Sequence, residues 1–132
     1  GLASRIITET PGSSDYFLGG AITYHNRIKT IELGISPKLL KKKGAVSEPV
    51  AKRMAEHIRL KFDADFGIGI TGIAGPSGGS SKKPVGLVYM ALSRRGKLAC
   101  HKKQFFGSRI EIQSRAAHHA LDLLRLQLLS LR

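Results

Sequence analysis

The 132-residue sequence has no tryptophan, a single cysteine (Cys100), and only nine acidic residues against 22 lysines and arginines. One cysteine excludes an internal disulfide and any metal site built from several cysteines, and it is typical of the reducing cytoplasm. No apolar run approaches the roughly 20 residues needed to cross a bilayer. The first residues also lack the charged head and apolar core of a signal peptide. We therefore expect a cytoplasmic domain with no membrane partner.

The shortage of acidic residues leaves a formal net charge of +13, which raises the question of a nucleic-acid partner. The basic residues are scattered in pairs and one triplet, residues 41–43, and no pattern of aromatic residues accompanies them. This distribution favours a basic, solvated surface over nucleic-acid binding. The same field would attract a phosphorylated small molecule.

The length and a hydrophobic fraction of 42% fit one α/β domain spanning residues 1–132. The order of elements predicts a sheet covered by helices on both faces, with residues 38–44 as a polar connection. Apolar periodicity and turn residues predict a helix ending at Thr8, a strand over 18–24, helices over 27–33 and 47–62, a strand over 65–70, hairpin strands over 85–93 and 98–106, and a helix from 108.

Three helix starts carry residues that are typical N-caps, namely Asn26, Ser47 and Ser108. Ser108 has a glutamate three positions later and therefore predicts a capping box. The predicted core face of the last helix consists of Ala117, Ala120, Leu121, Leu124, Leu128 and Leu131.

A glycine-rich segment, residues 71–86, follows the predicted strand over 65–70. Ligands of open α/β sheets bind beyond strand ends, and glycine lets backbone N–H groups approach an anion closely. The segment lacks the Gly-Lys-Ser/Thr ending of a P-loop, and flexible surface loops have the same composition. Composition alone therefore supports a ligand cradle and a flexible connection about equally.

Tyr24, Asn26 and Lys29 form a second candidate site. If Asn26 caps its helix, Arg27 and Lys29 fall in the first turn, where the helix dipole disfavours cations. The arrangement is either a small local cost or an anion site that combines cations with free N–H groups. In the second case the dipole lowers the pKa of Lys29, and a neutral lysine could deprotonate a serine hydroxyl. Arg109 repeats the pattern directly after the predicted cap at Ser108.

The five histidines include no pair at a spacing that would hold a metal on one helix face. Cys100 lies in a predicted strand and is interpreted as a small core residue. We therefore expect no metal and no cofactor.

Six motifs occur in order along the chain: Pro11-Gly12-Ser13-Ser14, Thr23-Tyr24-His25-Asn26 with Lys29, Gly44-Ala45-Val46-Ser47, Ile70-Thr71-Gly72-Ile73-Ala74-Gly75-Pro76, Lys83-Pro84-Val85-Gly86 and Phe106-Gly107-Ser108-Arg109. Together they resemble the CinA C-terminal domain family, which includes nicotinamide mononucleotide (NMN) deamidases of the PncC type. The resemblance covers nearly the whole chain. It implies a three-layer α/β/α sandwich with a mixed sheet.

The resemblance also implies a hydrolase that converts NMN to nicotinic acid mononucleotide and ammonia in pyridine-nucleotide salvage, without a metal or cofactor. The implied catalytic residues are Ser14, Tyr24 and Lys29, with Tyr24 and Lys29 handling protons near the carboxamide. The implied substrate-binding residues are Asn26, Thr71, Gly72, Ala74, Gly75 and Arg109. Of these, Arg109 and the backbone of residues 71–75 would meet phosphate or oxyanion charge. The implied partners are a small-molecule pyridine nucleotide and further copies of the chain.

Two departures from the family pattern qualify this expectation. The family normally begins with a strand and an Ala-Glu-Ser-Cys-Thr-Gly-Gly motif, and Gly1 aligns with the last glycine of that motif. We therefore expect a domain that is truncated at its N-terminus, and Ser108 stands where an aspartate is common. The first departure leaves an alternative open, a catalytically inactive nucleotide-binding or interaction domain.

Overall fold

The computed structural model describes residues 1–131, and the helices lie close to where the sequence predicts them, with one addition. The sheet has three strands, and a 3-10 turn covers Ser13–Asp15. In chain order the elements are α1 (Leu2–Thr8), α2 (Asn26–Leu33), α3 (Pro37–Lys43), α4 (Glu48–Lys61), β1 (Phe66–Gly72), β2 (Leu87–Arg94), β3 (Lys97–Gln104) and α5 (Arg109–Leu129).

The sheet has the order β1-β2-β3, and both of its pairings are antiparallel. Side chains of β2 alternate between the two faces, as a strand requires. Val88 and Met90 pack against α5, whereas Ala91 packs against α4. Helices therefore cover both faces, and the predicted α/β/α layering is confirmed. The strands of residues 1–131 pair only in antiparallel fashion, so they do not form the mixed sheet that was predicted.

Two glycines of β1 set the spacing between the sheet and α4. A Cβ on Gly69 would lie 2.6 Å from the backbone nitrogen of Ala55, and a Cβ on Gly67 would lie 2.7 Å from Cβ of Arg59. Ala51 and Ala55 on the facing side of α4 are fully buried. The small residues on both sides let the helix backbone approach the strand directly.

Of the three predicted caps, Ser108 caps its helix with its side chain, Ser47 occupies the N-cap position of α4 without a capping side-chain bond, and Asn26 is not a cap. Ser108 accepts from the backbone N–H of Glu111, while its own N–H donates to the Glu111 carboxylate. These hydrogen bonds lower the pKa of Glu111. Asn26 is instead the first residue of α2, and the cap is His25, whose Nδ1 accepts from Arg27 N–H at 3.2 Å. Ser47 precedes α4 but donates to the carbonyl of Gly44.

The strand predicted over residues 18–24 is wrong, because this extended segment has no ladder partner within the described chain. Its apolar side chains stay open to solvent, with Ile22 70% exposed. A strand needs a neighbour to accept its backbone hydrogen bonds, and side-chain alternation cannot supply one.

The connection predicted over residues 38–44 is also wrong, since α3 occupies it. Pro37 opens this helix in the position where proline is tolerated, and Leu40 buries its side chain. Lysines fill its last turn, where the dipole favours them.

The predicted core face of α5 is correct for the middle of the helix and wrong at its end. Ala117 and Ala120 are buried together with Ile112 and Ala116, but Leu128 and Leu131 are exposed. A helix of 21 residues is about 32 Å long, whereas strands of eight residues span about 26 Å. The helix therefore extends past the sheet that it covers. None of the helices described over residues 1–131 has the length and apolar character to cross a membrane.

Candidate functional site

The side chain of Lys29 is buried against the extended segment that precedes α2. Only 6% of Lys29 is exposed, and its Nζ donates to the carbonyl oxygens of Thr23 at 2.6 Å and Tyr24 at 3.2 Å. Burial lowers the pKa of this amine, because the charged form loses hydration. The helix therefore turns a cation inward, against the peptide groups that lead into its own N-terminus.

Tyr24 links this lysine to the N-terminus of α5. Its phenol oxygen accepts from Nη2 of Arg109 at 3.0 Å, while Nη1 of Arg109 donates to the carbonyl of Gly75 at 2.7 Å. The phenol itself is open to solvent, since 78% of Tyr24 is exposed. We call Tyr24, Lys29, Gly75 and Arg109 the Tyr24 cluster. It joins three parts of the sequence, because the backbone carbonyl of Tyr24 accepts from the Lys29 amine while its phenol accepts from the Arg109 guanidinium.

The glycine-rich segment is fixed at its base. The backbone N–H of Ile73 donates to Leu87 at 3.0 Å, and that of Gly86 donates back to Ile73 at 2.7 Å. A second closure joins Ser80 and Lys83. The backbone N–H of Ser80 donates to the carbonyl of Lys83 at 2.8 Å, and the backbone N–H of Lys83 donates to the hydroxyl of Ser80 at 3.0 Å. The segment therefore starts and ends on the β1–β2 pair, and Gly75 is held where it meets Arg109.

The side chain of Thr71 holds the connection that precedes α4. Its hydroxyl is buried and donates to the carbonyl of Ala45 at 2.9 Å. Lys83 reaches the same connection, because its Nζ donates to the carbonyl of Lys43 at the end of α3. These two bonds tie residues 43–47 to the sheet edge beside the glycine-rich segment.

The remaining implied residues lie outside the Tyr24 cluster. Ser14 is exposed on the 3-10 turn, and no hydrogen bond described for residues 1–131 joins it to Lys29. Asn26 lines an open groove of about 560 Å³ between α2 and α3. Gly72 ends β1, and Ala74 packs against the core below α5.

Thr23 is the residue of this region that sequence reasoning missed. It is 5% exposed, and its Oγ1 has no hydrogen-bond partner among the described residues, although its carbonyl accepts from Lys29. Its position before Tyr24 was visible in the Thr-Tyr-His-Asn motif, but nothing in that motif indicates burial. Within residues 1–131, no three His, Cys, Asp or Glu side chains are grouped to hold a metal ion.

Comparison with curated proteins finds relatives over nearly the full chain. A CinA-like protein of Acidobacterium capsulatum is 49% identical over 98% of this chain and 31% of its own length. A putative competence-damage inducible protein of Moorella thermoacetica is 49% identical over 94% of this chain and 30% of its own length. The chain therefore spans about a third of the curated relatives that it matches.

Solved structures agree with these sequence relatives. The competence/damage inducible protein CihA of Agrobacterium tumefaciens has a TM-score of 0.89 and 37% identity, over 94% of this chain and 79% of that one. A competence or damage-inducible protein of Enterobacter asburiae has a TM-score of 0.92 and 30% identity, over 97% of this chain and 80% of that one. The family model of the CinA C-terminal domain matches residues 1–128. The chain thus belongs to the CinA C-terminal domain family.

Proposed function

We propose that this domain is a nicotinamide-nucleotide amidohydrolase that converts NMN and water to nicotinic acid mononucleotide and ammonia. The observation that carries the proposal is the buried amine of Lys29 beside Tyr24, whose phenol is bonded to Arg109. Amide hydrolysis needs a base for the attacking hydroxyl, an acid for the departing nitrogen, and positive charge near the carbonyl oxygen. In the Tyr24 cluster, Lys29 is suited to both proton transfers and Arg109 is suited to supply the positive charge.

Lys29 is assigned the proton transfers. A lowered pKa increases the fraction of neutral amine, so Lys29 can accept a proton from the attacking hydroxyl. That hydroxyl belongs to a water molecule or to Ser14, and its oxygen adds to the carboxamide carbon. The C–N bond then breaks, and the proton held by Lys29 leaves with the nitrogen as ammonia. If Ser14 is the attacking group, this step leaves an ester on Ser14, and a water molecule then hydrolyses that ester to nicotinic acid mononucleotide and free serine. Tyr24 lies beside the amine and is assigned to guide the carboxamide.

Arg109 is assigned to bind the negatively charged part of the substrate. A guanidinium has five N–H donors, and two hydrogen bonds to Gly75 and Tyr24 leave the others for an anion. The N-terminus of α5 adds the positive end of a 21-residue helix. The glycine-rich segment is assigned to hold the nucleotide, because Gly75 fixes the orientation of this arginine.

A second candidate function, nucleotide binding without catalysis, is favoured by the position of Ser14. The hydroxyl that the family resemblance makes catalytic is exposed and is not bonded to Lys29. A domain with this arrangement could bind NMN through Arg109 and leave the carboxamide intact.

Ammonia release from NMN tests the first function, and calorimetric binding of NMN tests the second. We expect weak ammonia release by the purified chain, with loss of release in Lys29→Met and weaker NMN binding in Arg109→Lys. A matched control is Lys38→Met, which removes an exposed lysine on α3. Binding with no ammonia release would favour the second function, and the absence of both would reject the two proposals together.

A further inference from the structure

The cations of the sheet region have no acidic neighbours in sequence. Residues 66–110 contain eight lysines and arginines and neither aspartate nor glutamate. Five salt bridges are described over residues 1–131, and each of them uses a cation from outside this stretch. More than half of the net charge of +13 therefore sits on one region without ionic partners.

The fold gathers part of this charge on the open side of β3. Cys100 faces α4, so strand alternation turns Lys97, His101 and Lys103 toward the opposite side of the sheet. On that side α5 packs over β1 and β2, and the three side chains on β3 remain exposed. Scattered positions in the sequence thus become a row along one strand, about 20 Å from Lys97 to Lys103.

Helix α5 places two further basic side chains beside this row. His119 stacks edge-on against Phe105 with ring centroids 6.1 Å apart, and its pKa is lowered by burial and then by the nearby charges of Lys103 and His101. Arg115 lies one turn earlier and donates to the carbonyl of Phe106. The acidic group that faces His119, Asp122, is already paired with Arg125 at 2.8 Å. We define the basic shelf as Lys97, His101 and Lys103 with Arg115 and His119.

An aromatic ring stands at one end of the shelf. Phe106 is 73% exposed, and the bond from Arg115 fixes its backbone. Proteins that bind single-stranded nucleic acid combine a cationic track for phosphates with exposed aromatic rings on which bases stack. The basic shelf and Phe106 have both features.

We propose that the basic shelf binds the phosphate backbone of single-stranded nucleic acid, with Phe106 stacking on a base. Nothing in this proposal depends on the Tyr24 cluster or on amidase activity. Lysines on an edge strand have a simpler use, which is to prevent pairing with another chain. That use requires no nucleic-acid affinity, so binding measurements separate the two explanations.

The experiment is fluorescence anisotropy of a labelled 20-nucleotide single strand of mixed sequence, titrated with the full chain between 50 and 200 mM salt. We expect binding at 50 mM salt that weakens steadily as salt rises. For single strands each phosphate contact contributes a slope of about −0.7 to the logarithmic salt dependence. The double variant Lys97→Ser with Lys103→Ser should bind at least tenfold more weakly, and its slope should be smaller in magnitude by about 1.4.

A matched control removes the same net charge elsewhere. Lys38→Ser with Lys42→Ser changes two exposed lysines on α3 and should bind within twofold of the parent chain. Phe106→Ala should weaken binding several-fold and leave the salt slope unchanged, because stacking releases no counterions. Far-ultraviolet circular dichroism verifies that each variant is folded.

Three outcomes would overturn the proposal. They are no binding at 50 mM salt, equal weakening by the shelf and control variants, and stronger binding to vesicles containing anionic phosphatidylserine than to the oligonucleotide. The second outcome assigns the effect to net charge alone, and the third assigns the shelf to a lipid surface.

Discussion

Lys29 couples the protonation of one buried amine to the stability of the fold. Its pKa is lowered by burial, so between the folded value and the ordinary lysine value of about 10.4 the unfolded chain binds more protons. The free energy of unfolding therefore rises with pH across this window. Below the folded pKa the folded protein carries the full cost of a buried charge, and above pH 10.4 that cost is absent.

Lys29→Met removes this pH dependence. We expect the free energy of unfolding of the parent chain to rise relative to that of the variant as pH increases from 7 to 10. Urea denaturation of both chains at several pH values measures the difference between their free energies of unfolding. Contributions from groups that titrate in both chains cancel in this difference. Lys38→Met, at an exposed position, should show the parent's dependence. Parallel curves for the parent and Lys29→Met would contradict a lowered pKa.

Cys100 should be nearly inert as a thiol. Burial raises its pKa to about 11, and it packs against the alanines of α4. At pH 8 the thiolate fraction is then roughly 200-fold below that of a free cysteine, whose pKa is about 8.5. We expect an aromatic disulfide reagent to react at least 50-fold more slowly with the folded chain than with the chain in urea. Equal rates would show that the sulfur is accessible and ionised.

The sequence suggests candidate site residues, but it does not indicate which of them are in contact. Lys29, Tyr24 and Arg109 were named in advance, and the structure joins them. Tyr24 and Arg109 are 85 positions apart in the sequence, so their contact depends on the packing of α5 against the rest of the fold. The isolation of Ser14 and the burial of Thr23 depend on the same long-range packing, so no local pattern could indicate them.

At the scale of elements, the β1–α4 contact should tolerate little added volume. Gly69→Ala places a methyl group against backbone atoms of Ala51 and Ala55, which cannot rotate away. We expect a loss of about 2–3 kcal/mol in the free energy of unfolding, from urea denaturation. Gly96→Asn is the control, because Gly96 has φ +73° in the hairpin turn with open space around it. A loss below 0.5 kcal/mol for Gly69→Ala would show that the layers separate easily.

The start of α5 offers a matched pair of capping variants. Ser108→Ala removes the acceptor for the N–H of Glu111 and should reduce the free energy of unfolding by about 1 kcal/mol. Ser108→Asp keeps an acceptor of similar strength and should stay close to the parent. The midpoints of thermal unfolding of the three chains test this prediction. Equal midpoints for Ser108→Ala and the parent would contradict a stabilising cap.

The hairpin and α5 were predicted correctly from local signals, whereas the predictions for residues 18–24 and for α3 were wrong. The hairpin has a turn at Arg95-Gly96, and α5 has its capping box, so both appear where expected. Residues 18–24 alternate like a strand but have no ladder neighbour in the described chain. The composition of the lysine-rich stretch after Pro37 suggests a polar connection, but the stretch forms α3, because lysine and leucine are good helix formers.

At the scale of the whole molecule, the net charge of +13 should speed the capture of a phosphorylated substrate. If the domain hydrolyses NMN, we expect KM to rise several-fold between 20 and 300 mM salt while kcat changes little. Screening shortens the reach of the field from about 20 Å to about 6 Å over this range. The corresponding nucleoside, which lacks the phosphate, should show a smaller change in KM. A change confined to kcat would place the effect of salt in the chemical step.

Tyr24 also gives the protein an intrinsic optical signal. The chain has no tryptophan, so its ultraviolet emission comes from three tyrosines with no indole to receive their excitation. Tyr24 is exposed, and its phenol oxygen is held by Arg109 at 3.0 Å. A ligand that draws the guanidinium away changes the hydrogen bonding of one fluorophore in three. Occupancy of the Tyr24 cluster can thus be followed on the unlabelled protein, with Tyr24→Phe as the blank.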